Sequence, residues 1–173
     1  MDQKALKEEA HKRAARYENQ YYGCSQATLL ALQEVLGLED EQVYKAASHF
    51  CGGLAFGAKL CGALSAGLMI LGVKYGRTNF KEGLPALVKG IMPAHKFILR
   101  FEQEFGTTVC AEIMGVGKAP ETMSEEVFRG LIGDVEAIKR THEAVKDRCA
   151  EVVGKTAEMV VEIIANTEQE SAQ

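Results

Sequence analysis

From Cys61 to Tyr75 the chain runs CGALSAGLMILGVKY, apolar on every side of a helix. A surface helix carries an apolar stripe, whereas a helix apolar all round has to be enclosed by other elements. This segment therefore obliges the rest of the chain to wrap it. The apolar run Leu60–Val73 falls short of the roughly 20 residues that cross a bilayer, so membrane insertion is not expected. The flanking sequence offers wrapping helices. Residues 2–19 predict a highly charged amphipathic helix with Ala5, Leu6, Ala10, Ala14 and Tyr17 near one face. A second helix is predicted from Cys24 to Leu36, lined by Ala27, Leu30, Ala31 and Val35 and stopped by Gly37. Residues 40–50 predict a third, with Val43, Ala46, Ala47 and Phe50 inward.

Beyond the apolar helix, Pro85 suits a helix first turn near Leu84, and Pro93 should kink or split that helix before it stops at Gly106. Thr107 or Thr108 can cap a short helix through Met114, and Ser124 with Glu125 and Glu126 opens another. A last helix is expected from Asp134 to Asn166, with Gly154 its weak point and a frayed tail over 167–173. No stretch shows convincing strand periodicity. The expectation is an all-α, single-domain multi-helix bundle over residues 1–173, with a charged N-terminal helix in 1–20, a buried central helix and a Gly-rich loop before it. A chain of 173 residues suffices for one core.

The net charge of -4 leaves no basic footprint for nucleic acid. The charged N-terminus has no apolar signal-peptide core, so a cytoplasmic protein is expected. That setting governs the five cysteines, an odd number that cannot pair completely. In a reducing compartment cysteines serve packing, metal binding or redox chemistry more often than stable disulfides. Cys24 follows Gly23 at a predicted helix start, Cys61 follows the glycine loop, and Cys110 lies two or three residues inside a Thr-capped helix. A helix first turn stabilises a thiolate and lowers its pKa. Cys149 sits mid-helix on an apolar stripe, which by itself means core packing. These four cysteines lie on separate helices whose ends and faces can converge. C-x-x-C, C-x-x-C-H and zinc-knuckle spacings are all missing.

The stretch FCGGLAFGAKLCGALSAGLMILGVKYG resembles the glycine-rich segment and CGAxxG motif of the C_GCAxxG_C_C family of redox-active proteins. YYGCSQATLLAL is similar to that family's first cysteine helix, FGTTVCAEIMG to its third cysteine segment, and Cys149 with EVVGKTAEMV to its fourth. The resemblance covers about residues 20–165. It implies a small prokaryotic redox protein related to a cysteine-containing region of split-Soret cytochromes, where an iron–sulfur cluster has been suspected. The motif's final glycine falls at Ala66, with Gly67 next, and Cys51 stands outside the four-cysteine pattern as a packing residue.

Three functions follow as expectations. In the first, Cys24, Cys61, Cys110 and Cys149 converge as metal ligands. Four thiolates suit an iron–sulfur cluster or a tetrahedral zinc. Amides of Gly52, Gly53 and Gly62 would then hydrogen-bond cluster sulfurs, and a redox partner protein would exchange electrons. This describes an electron-transfer protein rather than a substrate-specific enzyme, without haem or nucleotide. In the second, Cys24 and Cys61 form a metal-free thiol–disulfide pair. In the third, the cysteines are core in an interaction module, with segment 60–73 and the first helix leaving a homodimer open. His49, beside the glycine loop, could be a ligand or proton donor but reads first as structural; His95 is marked only by its place after Pro93, and His11 and His142 read as solvated. Lys59 could favour a thiolate at Cys61, and Glu112 could be an acceptor near Cys110. The sequence has no Ser-His-Asp arrangement, H-E-x-x-H or phosphate loop, and GGLAFG follows no predicted strand, so it is no dinucleotide fingerprint.

Overall fold

The structure is a computed structural model describing residues 2–119, 121 and 124–172, without the side chains of 127, 128, 131 and 132. Its helices are α1 (Gln3–Tyr21), α2 (Cys24–Leu36), α3 (Glu41–Ala47), α4 (Gly62–Tyr75), α5 (Gly83–Phe105), α6 (Cys110–Met114), α7 (Glu125–Ile132) and α8 (Val135–Ser171), with 3-10 turns at Ser48–Phe50 and Phe80–Glu82. The all-α expectation holds. Among the described residues, extended pairing is limited to one antiparallel bridge between Leu60 and Val109. No described helix is long and apolar enough to cross a membrane.

α4 is the enclosed element that its sequence requires. Residues Gly62 to Gly67, Ile70 and Leu71 are buried, and α2, α5 and α8 pack around them. Gly67 lets α5 and α8 close in, since a Cβ there would stand 2.5 Å from the Phe97 ring and 2.9 Å from Val160. The close contact is thus made at Gly67, and Ala66 is simply buried beside it. Phe97 and Phe101 of α5 are fully buried, each contributing roughly 1.5–3 kcal/mol by burial alone.

α1 lies antiparallel along α8. Lys7 reaches Glu162 (3.1 Å) near one end, and Glu18 meets His142 (2.9 Å) at the other. Between them the His11 ring packs against Gly154, where a Cβ would come within 2.9 Å of it. Gly154 thus makes room for α1 and does not break α8. Asp2, Asp40 and Asp134 cap their helices through side-chain oxygens, and Gly37 ends α2 in the left-handed conformation.

Three local expectations are corrected. Pro93 is buried inside an unbroken α5 and does not split it. The C-terminal tail is helical to Ser171, held by Lys74–Glu168 (2.8 Å) and Lys96–Glu170 (2.7 Å) pairs to α4 and α5. Thr107 is not the cap of α6: Val109 is, and Thr107 accepts its amide (3.1 Å) and donates to Glu112 (2.6 Å).

Candidate functional site

Cys24 opens α2, Cys61 caps α4 and Cys110 opens α6, so all three stand at helix starts as the sequence predicts. Matching bonds fix two of these turns. Thr28 Oγ1 donates to the Cys24 carbonyl (2.8 Å), and Ser65 Oγ donates to that of Cys61 (3.1 Å).

The glycine loop brings Cys61 and Cys110 together. From Gly52 to Phe56, and again at Ala58, φ lies between +49° and +73°, a left-handed turn that includes four non-glycine residues. Such residues cost about 1–2 kcal/mol each in this region, and the turn's own bonds offset part of it. Ala55 donates to the His49 carbonyl (2.8 Å), Phe56 to Cys51 (3.0 Å) and Ala58 to Gly52 (2.9 Å). The loop's far end is stitched to the start of α6. Cys61 donates to the Thr108 carbonyl (2.9 Å), Cys110 to Lys59 (2.5 Å) and Ala111 to Ala58 (3.0 Å). At Gly53, with φ +73°, a Cβ would meet the Cys110 Cβ at 2.8 Å and the Lys59 amide at 2.7 Å. At Gly62 it would meet the Cys24 sulfur at 2.5 Å. Gly53 and Gly62 are thus backbone against which two of the cysteines rest. Gly52 accommodates the Phe56 ring.

All five thiols are free, and they interact in pairs. Cys24 is coupled by side-chain hydrogen bonding to Cys149 and Cys51, and it also feels Cys61 electrostatically. Cys61 in turn feels Cys110. Cys51 is therefore not apart in space: its sulfur also lies 3.1 Å from Ser25 Oγ, which donates to the Ala47 carbonyl (2.7 Å). Cys149, whose mid-helix position alone reads as core and whose place among the four rests on the family resemblance, is the thiol that pairs with Cys24.

The expected low thiol pKa values are not found. Burial pushes Cys61 up to about 11, although the Leu64 and Ala63 amides at the start of α4 favour its thiolate. Cys24 is held well above the usual range by its hydrogen bond to Cys149 and by burial. The bond to Cys24 pulls Cys149 down, but burial and the Glu18 carboxylate outweigh it and leave it at about 11. Cys51 is raised by its bond to Cys24 and by burial, and Cys110 by burial and Glu18. A helix start stabilises a thiolate only locally; the loss of water around these sulfurs costs more.

Glu18 is the site residue that sequence reasoning missed. It is 1% exposed on α1 and acts on Cys61, Cys110 and Cys149. Its Oε1 is 2.9 Å from His142 Nε2, so His142 is not the solvated residue expected. The other candidates stay outside: His49, His95 and Glu112 are exposed, and Lys59 Nζ turns to the Glu121 carbonyl (3.3 Å). Among the described residues, no three His, Cys, Asp or Glu side chains already form a metal-holding group. As placed, Cys24 interacts with Cys149 and Cys51, while Cys61 and Cys110 do not share a hydrogen bond with another thiol.

A family model described as "Putative redox-active protein (C_GCAxxG_C_C)" matches residues 22–163, which include all five cysteines. The chain belongs to this family. No curated protein and no solved structure is similar enough to this chain to count as a match.

Proposed function

We propose that this chain is an electron-transfer protein in which Cys24, Cys61, Cys110 and Cys149 bind an iron–sulfur cluster. The observation that carries the reading is the pairwise linkage of thiols from separate helices, Cys149 to Cys24, Cys24 to Cys61 and Cys61 to Cys110, two of the thiols buried and two partly buried, in a family described as redox-active. The chemistry of the donor set agrees. Soft thiolates select iron–sulfur clusters and zinc, and a cluster, when bound, supplies one-electron exchange. Buried neutral thiols are poor nucleophiles towards an outside disulfide, whereas a thiol that coordinates a metal is deprotonated outright. High thiol pKa values thus weigh against exchange with a substrate more than against ligation. The chain's own part is to hold four sulfurs at fixed backbone positions, exclude water and release the thiol protons on loading. Gly53 and Gly62 let the backbone approach Cys110 and Cys24. Zinc on the same ligands would serve structure alone. A reducing cytoplasm and a partner protein that exchanges electrons belong to the same proposal.

A second, metal-free reading draws support from the side-chain interaction of Cys24 with Cys149. Two thiols so placed would give up two electrons and two protons to an external electron acceptor and form a disulfide. That pairing has more support than Cys24 with Cys61, which bears on Cys24 only electrostatically.

Anaerobic purification followed by an absorption spectrum and metal and sulfide analysis tests the proposal. Broad visible absorption with iron and acid-labile sulfide is expected. A colourless, metal-free protein that cannot be reconstituted with iron and sulfide would contradict it.

A further inference from the structure

The Glu18 carboxylate is buried at the thiol group, yet only one of its oxygens is satisfied. Oε1 is bonded to His142 Nε2 at 2.9 Å, while Oε2 is buried without a hydrogen-bond partner. Buried polar groups are paired almost without exception, and an orphan calls for a reason. Here the surroundings supply one. The Cys149 thiol is near enough to Glu18 to interact with it through its side chain, without a hydrogen bond to Oε2; Cys61 and Cys110 feel the carboxylate's charge.

The carboxylate is also held in place. His142 stands two helical turns before Cys149 on α8, so the two project on the same side of that helix. The Tyr22 ring meets the imidazole edge-on at 4.4 Å. A histidine that fixes a carboxylate by one oxygen leaves the other free to bind, which is how residues around a metal orient its ligands. Glu18 precedes the matched residues 22–163, so the four-cysteine pattern does not include it.

We propose that Glu18 is a further ligand of the group held by the cysteines, with Oε2 as an oxygen donor beside the sulfurs and His142 as its positioning residue. The inference rests on the reading that these cysteines bind metal. It assigns the site a mixed sulfur–oxygen donor set in place of an all-sulfur one. On binding, a divalent cation would displace protons from the thiols and take the carboxylate oxygen directly.

Cobalt(II) separates the possibilities, because its visible bands report the ligand set and sulfur-to-cobalt charge transfer reports thiolates. The full chain is reduced, freed of metal and titrated anaerobically with Co²⁺. Wild type is expected to show charge transfer together with the ligand-field bands of a mixed sulfur–oxygen site. Glu18→Gln should keep the charge transfer, shift the ligand-field bands and bind Co²⁺ at least tenfold more weakly. His142→Ala should weaken binding with charge transfer retained. A Glu18→Gln variant with wild-type bands and affinity would overturn the assignment while leaving the cysteine site standing. Wild type without charge transfer would overturn the cysteine site itself, and the assignment with it. Should Glu18→Gln fail to fold, an all-sulfur ligand field in wild type overturns the assignment directly.

Discussion

The Cys24 sulfur lies so close to the backbone of Gly62 that a Cβ on residue 62 would stand 2.5 Å from it. The start of α4 and the first residue of α2 are thereby fixed against each other across the thiol group. The Phe50 carbonyl, 2.7 Å from the same point, closes the remaining space. Gly62→Ala is therefore expected to cost about 1–3 kcal/mol by overpacking, and to lower bound iron and sulfide as Cys24 is displaced. Urea denaturation and metal analysis of one preparation check both. Unchanged stability and loading would mean that the contact is unimportant.

Gly67 makes the equivalent contact away from the cysteines, against Phe97 and Val160. Gly67→Ala should destabilise by a similar 1–3 kcal/mol. Ala66→Gly, which only removes a buried methyl and adds backbone freedom, should cost about 1 kcal/mol. Comparing the denaturation midpoints of the two variants decides which position carries the motif's packing role.

The left-handed turn makes the opposite prediction. Ala55 is exposed with φ +49°, so glycine there relieves strain without losing packing. Ala55→Gly should raise stability by up to about 1 kcal/mol. A lowered denaturation midpoint would show that the turn is not strained at this residue.

The thiols give the metal-free protein a pH dependence. Cys61 and Cys149 move from an ordinary value of 9.0 to about 11 on folding. The folded state therefore retains protons that the unfolded state gives up, and stability falls as pH rises through this interval. Urea denaturation of the reduced protein should show full stability from these groups below pH 9.0 and progressive loss up to about pH 11. The loss should shrink in Cys61→Ser and Cys149→Ser. A flat profile over this range would contradict the desolvation argument.

Much of this arrangement is legible in the sequence because it is local. A segment apolar on all sides has to be enclosed, and α4 is. Gly23 and the glycine loop mark the starts of α2 and α4, so Cys24 and Cys61 are placed correctly. What escapes sequence reasoning is set by packing between elements. The helix starts at Cys24 and Cys61 suggest lowered pKa values, but burial by other helices outweighs them. Cys51 falls outside the motif yet folds back onto Cys24 through the turn after Phe50. Glu18 is hidden among charges in α1, although its register gives a usable signal: Ala10, Ala14 and Glu18 follow at intervals of four on the buried face. His142 and Cys149, seven apart, show the same relationship on α8. The C-terminal tail looks frayed from composition alone, and its pairs to Lys74 and Lys96 exist only in the folded chain.

Native mass spectrometry under anaerobic conditions tests the central claim most directly, applied to wild type and to the five single Cys→Ser variants. The account predicts an iron–sulfur mass increment on wild type and Cys51→Ser, lost or markedly reduced in Cys24→Ser, Cys61→Ser, Cys110→Ser and Cys149→Ser. Wild type at the mass of the bare chain after reconstitution, or an increment indifferent to all four substitutions, would contradict it.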